Sequence, residues 1–382
     1  MDLHDQKPSL LIVDDSKLVL NIAVSVLRAL DLPVYTAENG RQGLDIMMTK
    51  TVDLVITDLM MPVMDGFDLI ARIRQEERFR QTYIIVMTAL DEVADKVKAL
   101  NLGANDYTVK PLDVNEFRAR VQAGIRETQL KRQLSEALER LDQELKLVAA
   151  LQRRFLPKSL PRDGRFESAA YYRPWSRAGG DYYDCFLDDK SRLVLVVADV
   201  SGHGASAAVL MGILRALLKI TVSAGGTAAQ IMSKLNRALL ENIGDDPDFI
   251  TLFLGLVDPE RRRLNYSSAG HGDMLILGPE RNRLQRLASG GTVLGCFESE
   301  WREEFLDLKS GQTLVLYTDG LIEAINSQDK EFGRDSLESF LLSADPMLQP
   351  RDLVSMIRAE VERFTQGTVF TDDVTIFLTR FL

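Results

Sequence analysis

RLVLVVADVSGHG, residues 192–204, carries six apolar residues, Leu193 to Ala198, that run into Asp199 and then into a glycine turn. An apolar run bounded by turn residues predicts a buried β-strand with the aspartate at its end. Gly202 and Gly204 let the backbone turn sharply and approach a ligand where a Cβ would obstruct it. Working outward, aspartates beside glycines or at the ends of apolar runs recur in GGDYYD (179–184), YTDG (317–320) and TDDVT (371–375). Carboxylates and backbone carbonyls are the ligands of Mg²⁺ and Mn²⁺. Four such motifs therefore predict a divalent-cation centre. A cation pair lowers the pKa of a bridging water and holds phosphoryl oxygens during in-line attack, so no side-chain nucleophile is required. With His4, His203 and His271 as its only histidines, the chain supports neither a His-rich metal site nor a Ser-His-Asp triad.

Around these motifs, after the turn-rich LPKSLPRDGR, strand-like runs follow one another: ESAAYY, DYYDCFL, RLVLVVADV, FITLFLGLV, RLNYSS, DMLILG, TLVLYTDG and DDVTIFLTRF. Helical patterns interrupt them near Ala205–Thr221, Ala228–Asn242, Asp335–Leu342 and Arg351–Phe364. Strands that outnumber helices without strict alternation predict an α+β domain, an antiparallel β-sandwich flanked by helices.

The first third has another texture. From Leu10 to about Gln122, five short apolar runs (LLIVDD, VYTA, DLVITD, YIIVMTA, DYTVKP) alternate with amphipathic stretches that begin at Ser16, Gly40, Gly66 and Asp91. This alternation predicts an α/β fold, a doubly wound five-stranded parallel sheet whose ligands bind at the carboxyl ends of the strands. At those ends stand Asp14–Asp15, Asp58, Thr88 and Lys110. Crowded carboxylates repel unless a divalent cation neutralises them. With the cation bound, Asp58 can attack phosphorus while Lys110 balances the charge on the product.

Together with MPVMDG after Asp58 and the Lys110–Pro111 pair, this constellation resembles the receiver domain of two-component response regulators over residues 8–125. The resemblance implies that Asp58 is phosphorylated by a histidine kinase. It also implies that Asp14, Asp15, Asp58 and the Met60 carbonyl hold Mg²⁺, and that Thr88, Lys110 and Tyr107 carry the switch. RPWSRAGGDYYD, ADVSGHG, YTDGLIEA and TDDVT, in this order, resemble the bacterial branch of the type 2C (PPM) serine/threonine phosphatases, the stress-response and sporulation phosphatases, over residues 145–382. That resemblance implies two Mn²⁺ or Mg²⁺ ions held by Asp181, Asp199, Asp319 and Asp372 with the Val200 carbonyl. Asp184 and Asp373 then support the site, and the substrate is a phosphorylated anti-sigma-factor antagonist. GGDYYD also bears on the GGDEF signature of diguanylate cyclases, but it lacks the acidic fourth residue.

Between the halves, Ala119 to Pro157 contains no internal proline and one glycine, Gly124, while Leu134, Leu138, Leu141, Leu145 and Val148 recur at spacings of four and three. That heptad seam predicts a coiled coil, with a parallel homodimer as the expected assembly. The expected organisation is a receiver over 1–122, a helical coiled-coil linker over 123–156 and a phosphatase domain over 157–382. ALQRRFLP at the end of the seam resembles the segment that leads into the phosphatase domain in this family.

Charge and composition narrow the partners. Against 46 basic residues stand 56 acidic ones, a formal −10 that argues against a nucleic-acid partner. Cys185 and Cys296, far apart, suggest neither a disulfide framework nor a zinc site, so the reducing cytoplasm is the expected compartment. The start MDLHDQKP lacks signal-peptide character, and apolar runs such as Leu193 to Ala198 are too short to span a bilayer, so no membrane segment is expected. A transcription factor would call for a basic recognition helix after the receiver, and none is seen. The rival to an enzyme is a non-catalytic adaptor that sequesters a sigma factor or another regulator. Loss of the metal-ligand aspartates would mark it, and all four are present.

Overall fold

The computed structural model describes residues 7–89, 93–161, 163–243, 248–272, 274–287, 290–368 and 370–382. It divides into two compact units, Met1–Arg140 and Leu141–Leu382. Each is built by the period of its apolar residues.

In the first unit the elements run β1 (Leu10–Val13), α1 (Lys17–Leu27), β2 (Val34–Ala37), α2 (Gly40–Thr49), β3 (Leu54–Asp58), α3 (Gly66–Gln75), β4 (Tyr83–Ala89), α4 (Val93–Asn101), β5 (Asp106–Lys110) and α5 (Val114–Gln152). All strand pairs are parallel, in the order β2-β1-β3-β4-β5. The doubly wound α/β sheet is thus present. Consecutive strand residues point to opposite faces. Leu11, Val13, Val55, Ile84 and Val86 enter one core layer, whereas Leu10, Ile12, Leu54, Ile56, Ile85 and Met87 enter the other. Helices cover both faces, which is why the strands read as unbroken apolar runs. Asn39 and Asp65 cap α2 and α3 by accepting the amides of Gln42 and Asp68. The expected start of α4 at Asp91 lies outside the described residues.

In the second unit β6 (Phe166–Arg173), β7 (Tyr182–Leu187), β8 (Leu193–Val200), α6 (Ala205–Ser223), α7 (Ala228–Ile243), β9 (Ile250–Asp258), β10 (Arg263–Ala269), β11 (Met274–Leu277), β12 (Leu284–Leu287), β13 (Glu304–Asp307), β14 (Thr313–Tyr317), α8 (Asp319–Ile322), α9 (Arg334–Ser343), α10 (Pro350–Thr365) and β15 (Val374–Phe381) form two five-stranded antiparallel sheets with flanking helices. One sheet runs β13-β10-β9-β8-β7 and the other β12-β11-β14-β15-β6. Along β8, Leu193, Leu195 and Val197 join Leu316 and Phe377 in the core between the sheets. Val194, Val196, Ala198 and Val200 pack instead with Met211, Leu214 and Leu218 of α6 and Leu235 of α7. The expected sandwich is thus present, with β8 buried on both faces.

Two strands and the short helix α8 escaped the sequence reading. LQRL of β12 and EFLD of β13 are edge strands with exposed polar residues, so they show no apolar run. The expected absence of a membrane-length run also needs correction. Helix α6 is long and apolar enough, by length and composition, to cross a bilayer. Much of that apolar surface faces the sheet and α7, where Ala207, Leu210, Met211, Leu214, Leu218 and Val222 are buried.

Helix α5 continues past its own unit to Gln152. Ion pairs one turn apart, Glu127 with Lys131 and Asp142 with Lys146, support it. Leu134, Leu138 and Leu141 of the heptad seam are exposed, whereas Leu145 and Val148 are half-buried.

Candidate functional site

Parallel pairing places the carboxyl ends of β1, β3, β4 and β5 side by side, and the receiver groups meet there. Oxygens of Asp14, Asp15 and Asp58 all lie within 4.8 Å of one another. Lys110 at the end of β5 reaches Asp14 Oδ2 at 2.7 Å and Asp58 Oδ2 at 2.8 Å. Burial pushes the Asp58 carboxyl up, and the Lys110 hydrogen bond only partly offsets it. For Lys110 burial acts downward, but the two carboxylates outweigh it and the net shift is upward. This pattern is a site two positive charges short, since three carboxylates share one ammonium. An oxygen-binding divalent cation fits it. Thr88 is buried at the end of β4, and Met60, whose carbonyl is the expected fourth ligand, has an exposed side chain. Tyr107 on β5 is half-buried, with Lys96 and Arg120 over its ring.

In the second unit the four motifs converge on one end of the sandwich. Asp181 directly precedes β7, Asp199 is the next-to-last residue of β8, Asp319 opens α8 after β14, and Asp372 precedes β15. Asp181 is buried, and its Oδ2 accepts hydrogen bonds from Thr318 Oγ1 at 2.7 Å and Thr375 Oγ1 at 2.6 Å. Thr318 Oγ1 in turn accepts the Thr375 amide at 2.9 Å. Two hydroxyls from neighbouring strands therefore fix one carboxylate oxygen and leave the other for a ligand.

Asp373 is a structural brace. Its carboxylate accepts the backbone amides of Trp175 at 2.7 Å, Gly180 at 2.6 Å and Asp181 at 3.3 Å. A Cβ on Gly179 would sit 1.8 Å from Asp373 Oδ2, and one on Gly180 would sit 2.5 Å from the Val200 carbonyl oxygen. Glycine is therefore required at both positions. Asp184 points away from this end, bonded by the Tyr182 hydroxyl at 2.8 Å and by Lys219 at 2.9 Å. His203 stacks edge-on against Trp175, with ring centres 5.0 Å apart.

The electrostatics identify where the charges crowd. Burial, and then the charges of Asp199 and Asp373, hold Asp181 well above the ordinary carboxylate range. Asp199 is pushed up to about 7 by burial and then by Asp319, Asp372, Asp373 and Glu323. Asp372 also rises, chiefly through burial, with Asp319 and Asp373 adding to it. Among the described residues these aspartates form no group of three within the 4.8 Å spacing of the receiver trio. A buried, all-oxygen donor set with raised pKa values fits divalent cations.

Sequence reasoning missed several contributors: the threonines Thr318 and Thr375, Glu323, and Gln152. The last residue of α5, Gln152 is buried, donates its amide to the Gly179 carbonyl at 2.6 Å and accepts the Gly179 amide at 3.1 Å. Nearby, Leu156 joins the α6 core layer and Phe155 lies against Gly212.

The model of the stage II sporulation protein E family matches residues 189–382, and that of the response regulator receiver domain matches residues 10–122. The chain belongs to the stage II sporulation protein E family. It carries a receiver domain ahead of the type 2C phosphatase fold of that family. Protein IcfG of Synechocystis is 29% identical over 276 residues, covering 65% of this chain and 43% of that protein. Phosphoserine phosphatase RsbU of Bacillus subtilis is 28% identical over 181 residues, 47% of this chain and 53% of RsbU. The chain thus spans about half the length of the curated relatives it matches. Among solved structures, the SiaA-PP2C domain of Pseudomonas aeruginosa aligns with a TM-score of 0.58 at 21% identity, covering 64% of this chain and 99% of that one, which establishes the sandwich fold.

Proposed function

We propose that the chain is a response regulator whose output is metal-dependent hydrolysis of phosphoserine or phosphothreonine on a regulatory protein. The observation that carries this reading is Asp181, locked by Thr318 and Thr375 beside Asp199, Asp319 and Asp372, with burial and the crowding of acidic neighbours raising the pKa values of Asp181, Asp199 and Asp372. Asp181, Asp199, Asp319, Asp372 and the Val200 carbonyl would hold two Mn²⁺ or Mg²⁺ ions. Such ions, when bound, supply hydroxide near neutral pH and polarise the phosphoryl group. The protein's share is to orient the carboxylates. Thr318 and Thr375 orient Asp181, while Asp373 fixes the Gly180–Asp181 backbone.

In the receiver, Asp58 is the proposed phosphoacceptor from a histidine kinase, with Mg²⁺ held by Asp14, Asp15, Asp58 and the Met60 carbonyl. Lys110, already bonded to Asp14 and Asp58, balances charge on the acyl phosphate, and Thr88 with Tyr107 carries the switch. The exposed Leu134, Leu138 and Leu141 support a parallel coiled-coil dimer through α5. Phosphorylation would act by altering that packing. The phosphoserine activity named for RsbU supports a phosphoserine substrate, and the proposed substrate class is a phosphorylated anti-sigma-factor antagonist. The acidic balance and free thiols are consistent with a cytoplasmic protein without a nucleic-acid or membrane partner.

The deciding experiment is Mn²⁺-dependent hydrolysis of a phosphoserine peptide by the full chain and by Asp199→Ala and Asp319→Ala. Each substitution is expected to lower the rate about 1,000-fold, a loss of several kcal/mol of transition-state stabilisation. Activity insensitive to both, or absent with every divalent cation, would replace the enzyme with the adaptor. A phosphoryl donor that changes neither dimerisation nor rate more in wild type than in Asp58→Asn would remove the proposed control.

A further inference from the structure

His271, in the AGHG segment after β10, belongs to no motif used so far. The ring is half-buried, with Nδ1 2.8 Å from Thr251 Oγ1 and Nε2 3.1 Å from the Tyr317 carbonyl oxygen. A carbonyl can only accept, so Nε2 carries the proton and Nδ1 accepts from the Thr251 hydroxyl. Burial pushes the imidazole down to about 4, in keeping with that neutral tautomer. The His271 carbonyl is held too, accepting from Ser268 Oγ at 3.0 Å.

The two partners give this bridge its meaning. Thr251 pairs directly with Asp199 across β8 and β9. Tyr317 ends β14, followed by Thr318, which binds Asp181, and then by Asp319. The two strands belong to different sheets. Beside the ring, Asp199, Thr251, Tyr317, Asp319 and Arg334 line one cavity of about 60 Å³.

We propose that His271 is a positioning residue for the metal centre, a hydrogen-bonded strut between the two sheets that sets the separation of Asp199 and Asp319. The proposal rests on the reading that these aspartates hold the cations. Partners behind metal ligands affect affinity by roughly 10- to 100-fold when removed. An imidazole spans two acceptor and donor positions that no single amide reproduces. An asparagine can keep the acceptor near Nδ1, a glutamine can keep the donor near Nε2, and a leucine keeps neither.

The test is Mn²⁺ titration calorimetry on the full chain carrying Asp15→Asn, which removes the receiver site from the measurement. His271→Leu should weaken Mn²⁺ binding at least tenfold, while His271→Asn and His271→Gln should each recover part of that loss. Thr251→Val, close to isosteric, should weaken binding severalfold and decides the matter if His271→Leu does not fold. Mn²⁺ affinity within twofold of wild type in Thr251→Val and in a folded His271→Leu, even with a lowered Tm, would reduce His271 to a core residue and overturn the proposal. Asp199→Ala separates the two levels. If Asp199→Ala leaves Mn²⁺ binding intact, the metal-centre reading itself fails. If it abolishes binding while the His271 and Thr251 variants do not alter it, the strut alone is refuted.

Discussion

The two acidic centres of this chain solve the same electrostatic problem with different means. In the receiver, Lys110 lies within 2.8 Å of Asp14 and Asp58, so the protein itself brings a positive charge to the carboxylates. In the phosphatase unit, Asp181 is held by neutral hydroxyls, and burial, then acidic neighbours, push Asp199 up to about 7. Repulsion left in a buried site is a reserve that a cation relieves on binding. The receiver is thus arranged to hold its charge between phosphorylation events. The phosphatase centre is arranged to depend on its ions.

The sharpest way to break this comparison is to disable one centre and read both. Asp58→Asn should abolish uptake of label from a small phosphodonor and leave phosphopeptide hydrolysis in place, whereas Asp319→Ala should do the reverse, each by about 1,000-fold. Next in size is Lys110→Ala. Removing the cation from a largely buried pair costs roughly 3–5 kcal/mol, less here because Lys110 is 23% exposed. Chemical denaturation of the receiver unit at low Mg²⁺ should show that loss, and added Mg²⁺ should restore more stability to the variant than to wild type.

A pH series tests the other side. Because the folded-state pKa of Asp199 is raised, its contribution to the stability of the metal-free fold is full below about 4 and is lost as pH rises through about 7. The rise in Tm on adding Mn²⁺ should therefore be several degrees larger at pH 7.5 than at pH 5.5. An equal or opposite trend would mean that the crowding of these carboxylates is not what the ions relieve. The smallest expected effects come from Thr318→Val and Thr375→Val. Each deletes one charge-assisted hydrogen bond to Asp181, worth about 1.5–3 kcal/mol, and should weaken Mn²⁺ binding about tenfold as measured by calorimetry.

Much of this was legible in sequence because strands buried on both faces leave unbroken apolar runs, and a polar residue at the end of such a run stands out. LVLVVAD and DLVITD are of this kind. The edge strands β12 and β13 left no such trace, since they meet solvent with Gln285, Arg286 and Glu304. Nor did the braces around the carboxylates. Thr318 and Asp181 are 137 residues apart, Thr375 and Asp181 are 194 apart, and a hydroxyl in a strand carries no local sign of what it will bind. Helix α6 was legible as a helix, but its cover was not, because a helix apolar on most sides looks the same whether it packs against protein or lipid.

The Gln152–Gly179 clasp sets a counting rule for anyone exchanging the sensory half of this protein. It pins the last residue of α5 to the backbone two positions before Asp181, so the helix enters the phosphatase unit at one fixed rotational setting. Each residue added or removed upstream turns whatever precedes it by about 100° relative to that setting, while seven residues return it to within about 20°. On the proposed control through α5, chimaeras joined at whole-heptad intervals should respond to a phosphoryl donor, and those joined out of phase should fold without responding.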